Sequence, residues 1–162
     1  MLNEDYRDML RALVDERVKF LLVGAYALAA HGYPRATMDI DIWVMPAPAN
    51  ADAVLRALGR FGVPRHNLTK GDLEKEGTVF QIGVAPRRID IITAASGLQF
   101  DDAFSRATAV EIEGITVHIP SVADLIRNKR ASGRTKDLAD AEALEELTGS
   151  EPSVPGDASQ RA

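Results

Sequence analysis

Aspartate occupies alternate positions in Thr37-Met38-Asp39-Ile40-Asp41-Ile42-Trp43-Val44, a stretch whose apolar residues otherwise read as a β-strand. Side chains at i and i+2 leave a strand on one face, so Asp39 and Asp41 point the same way while Ile40 and Ile42 point into a core. Two like charges then stand roughly 6 to 7 Å apart, repelling by about a kcal/mol or more in a partly dry site. A cation held between them relieves the repulsion. Mg2+ suits the position, because it prefers oxygen ligands and is commonly held by one or two carboxylates together with substrate phosphates. The alternative is a solvated edge strand whose polar face looks at water.

At 162 residues the chain suits one domain with a sizeable core, expected over residues 1–147. Residues 148–162 are rich in Gly, Ser, Pro and charge and read as a disordered tail. No run approaches the ~18 apolar residues of a membrane span. Acidic residues in Met1 to Asp8 replace the basic and then apolar order of a secretory signal, so a cytoplasmic protein is expected. The absence of cysteine excludes disulfides, thiolate zinc sites and cysteine nucleophiles, and three scattered histidines give no zinc pattern. A net charge of −5 argues against a general nucleic-acid coat, which shifts attention from the number of basic residues to their placement.

Asn3 is expected to cap a helix with Met9, Leu10, Leu13 and Val14 on its apolar side. Phe20 to Val23 reads as a strand, and Ala25 to Ala30 as a helix before the breakers Gly32 and Pro34. After the Asp39 strand, Asn50 is expected to cap a helix running to Phe61. A loop rich in charge and glycine follows; its segment Arg65 to Gly77 is a candidate for part of an acceptor cleft. Strands are expected at Val79 to Val84 and Arg88 to Ile92, forming a hairpin or a tight pair, then a short helix at Asp101 to Arg106. Further strands at Ala109 to Ile112 and Ile115 to Ile119 turn at Glu113-Gly114. Ser121 and Asp124 have capping-box spacing at the start of another helix, and a last helix spans Thr135 to Leu147. The fold class this implies is α+β, with a mixed sheet flanked by helices.

Three constellations could carry chemistry. Gly24-Ala25-Tyr26 sits between an apolar strand and a helix, where unpaired N–H groups and a glycine admit a phosphate; the alternative is a strand-to-helix turn that merely needs glycine. Asp39, Asp41 and Asp90, the last flanked by Ile89 and Ile91, could together bind two metal ions for phosphoryl transfer; Asp90 could instead pair with Arg87 or Arg88. The basic run Arg127, Lys129, Arg130, Arg134 and Lys136, with Asp137 and Asp140 close behind, suits a triphosphate or an RNA backbone, or else a solvated helix face. Arg35 is a further candidate for a phosphate. Trp43 either stacks on a base or fills the core.

Phe20 to Leu28, then Arg35 to Asp41, Arg88 to Ile91, and finally Asp124 to Lys129 with Arg134 to Asp140, resemble the minimal nucleotidyltransferases of the DNA polymerase β superfamily in order and spacing. The likeness is greatest to the AbiEii-like and MenT-like toxins of toxin–antitoxin pairs. It implies a polymerase β-like core with a short C-terminal helical part. Asp39, Asp41 and Asp90 would hold two Mg2+ ions and carry catalysis. Gly24, Ala25, Arg35, Lys129, Arg134 and Asp137 would serve the nucleotide, an NTP such as ATP. The acceptor implied is preferentially tRNA, with a cognate antitoxin as partner; a protein or small molecule is the alternative acceptor, and the chain's small size suggests that a partner or a dimer helps to select the substrate. The family's turn usually carries Gly or Ser where this chain has Ala25, and that departure supports another alternative, a non-catalytic nucleotide- or RNA-binding module.

Overall fold

The computed structural model describes residues 2–33, 39–84 and 86–148. Arg35 and, beyond Thr148, the expected tail lie outside the described residues. Helix α1 (Glu4–Asp15) leads to strand β1 (Phe20–Val23), α2 (Gly24–Ala30) and β2 (Asp39–Val44). Then come α3 (Pro48–Phe61), α4 (Lys70–Glu74), β3 (Val79–Ile82), β4 (Arg88–Ile92) and α5 (Phe100–Ser105). The chain closes with β5 (Thr108–Ile112), β6 (Ile115–Ile119), α6 (Val122–Ser132) and α7 (Thr135–Leu147). No described helix is long and apolar enough to cross a membrane.

Four strands form a mixed sheet in the order β1-β2-β4-β3. The β1–β2 and β3–β4 pairs are antiparallel, whereas β2 and β4 run parallel. Strands β5 and β6 form a separate hairpin whose turn residues, Glu113 and Gly114, both take positive φ, the conformation that matches the twist of a two-residue turn.

Period-2 alternation sorts the main sheet into two faces. Phe20, Leu22, Ile40, Ile42, Val44, Ile89 and Ile91 face a core that also takes Tyr6, Met9, Leu10 and Leu13 of α1 and Val54, Ala57 and Leu58 of α3. Val14, expected among the apolar residues of α1, is exposed: the stripe runs through Tyr6, Met9, Leu10 and Leu13, and Val14 falls outside it. The opposite face is divided along its length. At one end Leu21 and Trp43 pack beneath Phe100 and Ala103 of α5, with the indole of Trp43 meeting the Phe100 ring edge-on at 5.2 Å. Trp43 therefore belongs to the core. The other end carries Asp39, Asp41 and Asp90.

Several expected local features differ. Ala47 is the N-cap of α3 and Pro48 opens it, so Asn50 is the third residue of the helix and is not its cap. Its buried amide instead donates to the Lys19 and Met45 carbonyls at 3.0 and 2.9 Å, and its Oδ1 accepts from the Lys19 N–H at 2.7 Å. One side chain thus ties the entry to β1 to the exit from β2. Asn50→Ala leaves those backbone groups unpaired, and urea denaturation should show a loss of about 2 kcal/mol. The loop expected after α3 contains α4, opened by a full capping box between Thr69 and Asp72. At Ser121 the box is half made. Ser121 accepts from the Asp124 N–H at 3.1 Å, but the Asp124 carboxylate turns away to pair with Arg106 and Arg127.

Candidate active site

Parallel pairing of β2 with β4 places Asp41 beside Asp90 and Asp39 beside Arg88. Antiparallel pairing of β1 with β2 places Val23 beside Asp41, so the chain leaves the sheet at Gly24 directly over that carboxylate. Gly24 has φ +70°, and a Cβ added there would collide with Asp41 Oδ2. Glycine is needed here for a turn and for a close approach at once. Val23 gives α2 no side-chain cap, so the first-turn N–H groups beside Ala25 have none from that residue.

Arg88 lies two residues before Asp90 on the same strand and therefore on the same face. Its Nε donates to Asp90 Oδ1 at 2.9 Å, and its Nη2 donates to Asp90 Oδ2 at 3.2 Å and Asp39 Oδ2 at 2.8 Å. The backbone carbonyls of Arg88 and Pro86 accept from the Tyr6 hydroxyl at 3.2 and 3.3 Å, which anchors the start of β4 to α1. Tyr6 in turn meets the Tyr26 ring edge-on at 6.0 Å. Asp39 Oδ1 is buried and receives no hydrogen bond from any described residue.

Burial pushes the Asp41 carboxyl up to about 6, and the charges of Asp90 and Asp39 and a hydrogen bond with Asp90 add to the effect against the opposing pull of Arg88. A carboxyl that binds its proton more tightly when folded favours the folded state below its unfolded pKa of 3.8, and that advantage disappears as pH rises through about 6. In EDTA, Asp41→Asn should therefore gain about 2–3 kcal/mol over the wild type between pH 4 and pH 8. Parallel urea titrations across that range give the difference directly.

Among the described residues, no three carboxylate, imidazole or thiolate groups form a ready cage for a metal ion. The guanidinium of Arg88 bridges two of the acids instead. The donor set nevertheless fits a hard divalent cation: three carboxylates on adjacent strands, one with an orphaned buried oxygen and one driven towards neutrality by burial and then by its neighbours' charge.

Lys129, Arg134 and Asp137 come together in a second cluster. Lys129 Nζ lies 3.5 Å from Asp137 Oδ1 and 3.3 Å from Asp140 Oδ2, and Arg134 Nε donates to Asp137 Oδ2 at 2.7 Å. Burial alone would raise the Asp137 carboxyl, but the Arg134 hydrogen bond and the Lys129 charge hold it below the usual range. The Tyr33 hydroxyl donates to Asp140 Oδ1 at 3.4 Å, and Tyr33 stands six positions before Asp39, so a short stretch of chain connects this cluster to the strand acids. Arg127 pairs with Asp124 and Arg130 with Glu145, the latter at 2.6 Å.

Arg88 pairs with Asp90, the alternative that the sequence offered for that acid, but its reach on to Asp39 and the anchoring by Tyr6 escape sequence reasoning, although signals for both exist. Arg88 shares the i, i+2 face of Asp90, and Tyr6 is a hydroxyl-bearing aromatic on the buried stripe of α1.

The sheet order, the strand acids and the glycine turn define the polymerase β-like nucleotidyltransferase fold. Its profile identifies the family: residues 2–149 match nucleotidyltransferases of unknown function (DUF6036), and the chain belongs to that family. A Thermotoga maritima protein described as a nucleotidyltransferase shares the fold at a TM-score of 0.57 and 17% identity, covering 93% of this chain and 96% of its own. The antibiotic-resistance factor ANT(2'')-Ia does so at 0.51 and 16%, covering 91% and 84%. The same protein in complex with adenylyl-2''-tobramycin gives 0.53 and 15%, covering 90% and 88%. No curated protein matches by sequence.

Proposed function

We propose that this nucleotidyltransferase moves a nucleoside monophosphate from an NTP such as ATP to an acceptor hydroxyl, with Asp39, Asp41 and Asp90 as its catalytic carboxylates. The observation that carries the reading is the β2–β4 register, which sets Asp41 against Asp90 with Asp39 next along the same face. The acceptor oxygen forms a bond to the α-phosphorus as the bond to the bridging oxygen breaks, and pyrophosphate leaves. Asp90 takes the acceptor proton, while the backbone at Gly24 and Ala25 borders the phosphates. Lys129 and Arg134, oriented by Asp137, contribute positive charge towards the triphosphate, and Arg35 is assigned the same role. Asp39, Asp41 and Asp90 would hold two Mg2+ ions, which when bound neutralise charge developing on the phosphates and acidify the acceptor hydroxyl.

For the acceptor, the resemblance to AbiEii-like toxins supports tRNA, with the protein acting as a toxin beside a cognate antitoxin. One observation favours a small hydroxyl-bearing acceptor instead: Arg127, Lys129, Arg130 and Arg134 all pair with acids of this chain, which reduces the charge offered to an RNA backbone. The fold relative seen with adenylyl-2''-tobramycin is in keeping with that reading. The test is incubation with each α-labelled NTP and Mg2+, supplying in turn tRNA, a protein lysate and an aminoglycoside. Label entering one acceptor class supports the reading and selects the acceptor. Label entering none, with NTP still bound, favours a non-catalytic module, for which Ala25 is the sequence argument.

A further inference from the structure

The three strand acids lie close together, yet two of them are already engaged. A single guanidinium takes both oxygens of Asp90 and one of Asp39, and its strand is pinned from behind by the Tyr6 hydroxyl. Lysine could not reproduce this geometry, because its ammonium is a point charge whereas the arginine fork has separate donors for two carboxylates. The oxygens that Arg88 holds belong to the acids assigned above to the metal ions. Arg88 is also partly exposed, with 32% of its side-chain surface open, so the guanidinium has room to leave.

We propose that Arg88 is a positioning residue and built-in counter-ion, which keeps Asp39 and Asp90 assembled without metal and yields their oxygens when a divalent cation enters. The inference rests on the proposed carboxylate site. In physical terms, cation and guanidinium compete for the same lone pairs. The apparent affinity for metal is lowered by the fraction of molecules in which the fork is closed, and the site avoids collapse or repulsion while empty. Once released, the guanidinium stays beside the site, where it can face the incoming phosphates.

The test uses the full chain as wild type, Arg88→Met, Arg88→Lys and Asp39→Asn/Asp41→Asn. Bound Mn2+ is counted by electron paramagnetic resonance without nucleotide, and Tm is measured in EDTA and in Mn2+. Arg88→Met should melt about 3–6 °C below the wild type in EDTA and recover much of that difference in Mn2+. It should also bind Mn2+ about ten-fold more tightly, if the fork is closed in roughly nine molecules in ten. Arg88→Lys keeps the charge but cannot span both acids, so it too should bind Mn2+ more tightly than the wild type. If Arg88→Lys matches the wild type while only Arg88→Met gains, charge alone accounts for the effect and the inference is overturned. Wild-type binding with no gain in either variant overturns the role of Arg88 but leaves the carboxylate site standing. Equal Mn2+ binding by the double aspartate variant and the wild type, or none by either, overturns the site and this inference with it.

Discussion

Asp39→Asn/Asp41→Asn should lower nucleotidyl transfer by about 10³-fold or more while leaving the protein folded. Phosphoryl chemistry asks little covalent work of a protein. Its rate comes from placing charge where the transition state needs it, and neutral amides hold a divalent cation more weakly than carboxylates and supply none of that charge. The fold survives because neither side chain holds the core together: Ile40 and Ile42 do so from the other face of β2, and both are fully buried. The substitution even removes repulsion, since Asp41 is pushed to about 6 by burial and by its acidic neighbours. Arg88 loses Asp39 but keeps its two-pronged grip on Asp90. Steady-state turnover together with a thermal melt in EDTA checks both halves: activity should collapse while Tm stays level or rises.

Gly24→Ala should cost about 3 kcal/mol of stability and about 10²-fold in turnover, the second-largest effect expected. Two penalties combine. A left-handed conformation is unfavourable for a residue with a Cβ by roughly 1–2 kcal/mol, and the new methyl meets Asp41 Oδ2 head-on. Either the turn opens or the carboxylate moves, and a displacement of about 1 Å at a reacting centre is enough for such a rate loss. Gly62→Ala provides the comparison. Gly62 also has positive φ, but its Cβ would meet nothing within 4 Å, so the variant should lose stability without the rate penalty. Equal loss of turnover in both variants would show that backbone strain alone is responsible.

The readings that survive rest on local periodicity. The alternation Asp39-Ile40-Asp41-Ile42 fixes which side chains enter the core, and the glycine after Val23 marks the turn, because both signals depend on neighbours in the chain. Strand β4, strand β6 and helix α7 likewise coincide with their expected spans. The parallel pairing of β2 with β4 depends on tertiary structure, since β3 and two helices separate those strands in sequence. With that pairing comes the neighbour set of Asp41 and the bridge made by Arg88. Asn50 misleads for a similar reason. Its residue type suits a helix cap, but Pro48 opens the helix earlier and the side chain serves backbone groups 31 residues away. At Ser121 the cap is correctly placed, yet Asp124 turns to Arg127 one turn on and to Arg106, which lies outside any local pattern. The basic run from Arg127 to Lys136 is visible as composition, and the i, i+3 spacing of Arg127 with Asp124 and Arg134 with Asp137 is local, whereas the pairing of Lys129 with Asp137 and Asp140 and of Arg130 with Glu145 needs the packing of α6 on α7.

The most direct test of the account follows two labels through one reaction. ATP labelled at the α-phosphate and ATP labelled at the γ-phosphate are supplied in parallel to wild type and to Asp39→Asn/Asp41→Asn, with Mg2+ and the acceptor pool. Nucleotidyl transfer at the strand carboxylates predicts α-label on the acceptor, γ-label in pyrophosphate, and neither product from the double variant. γ-Label on the acceptor, or α-label transferred equally well by the double variant, would contradict it.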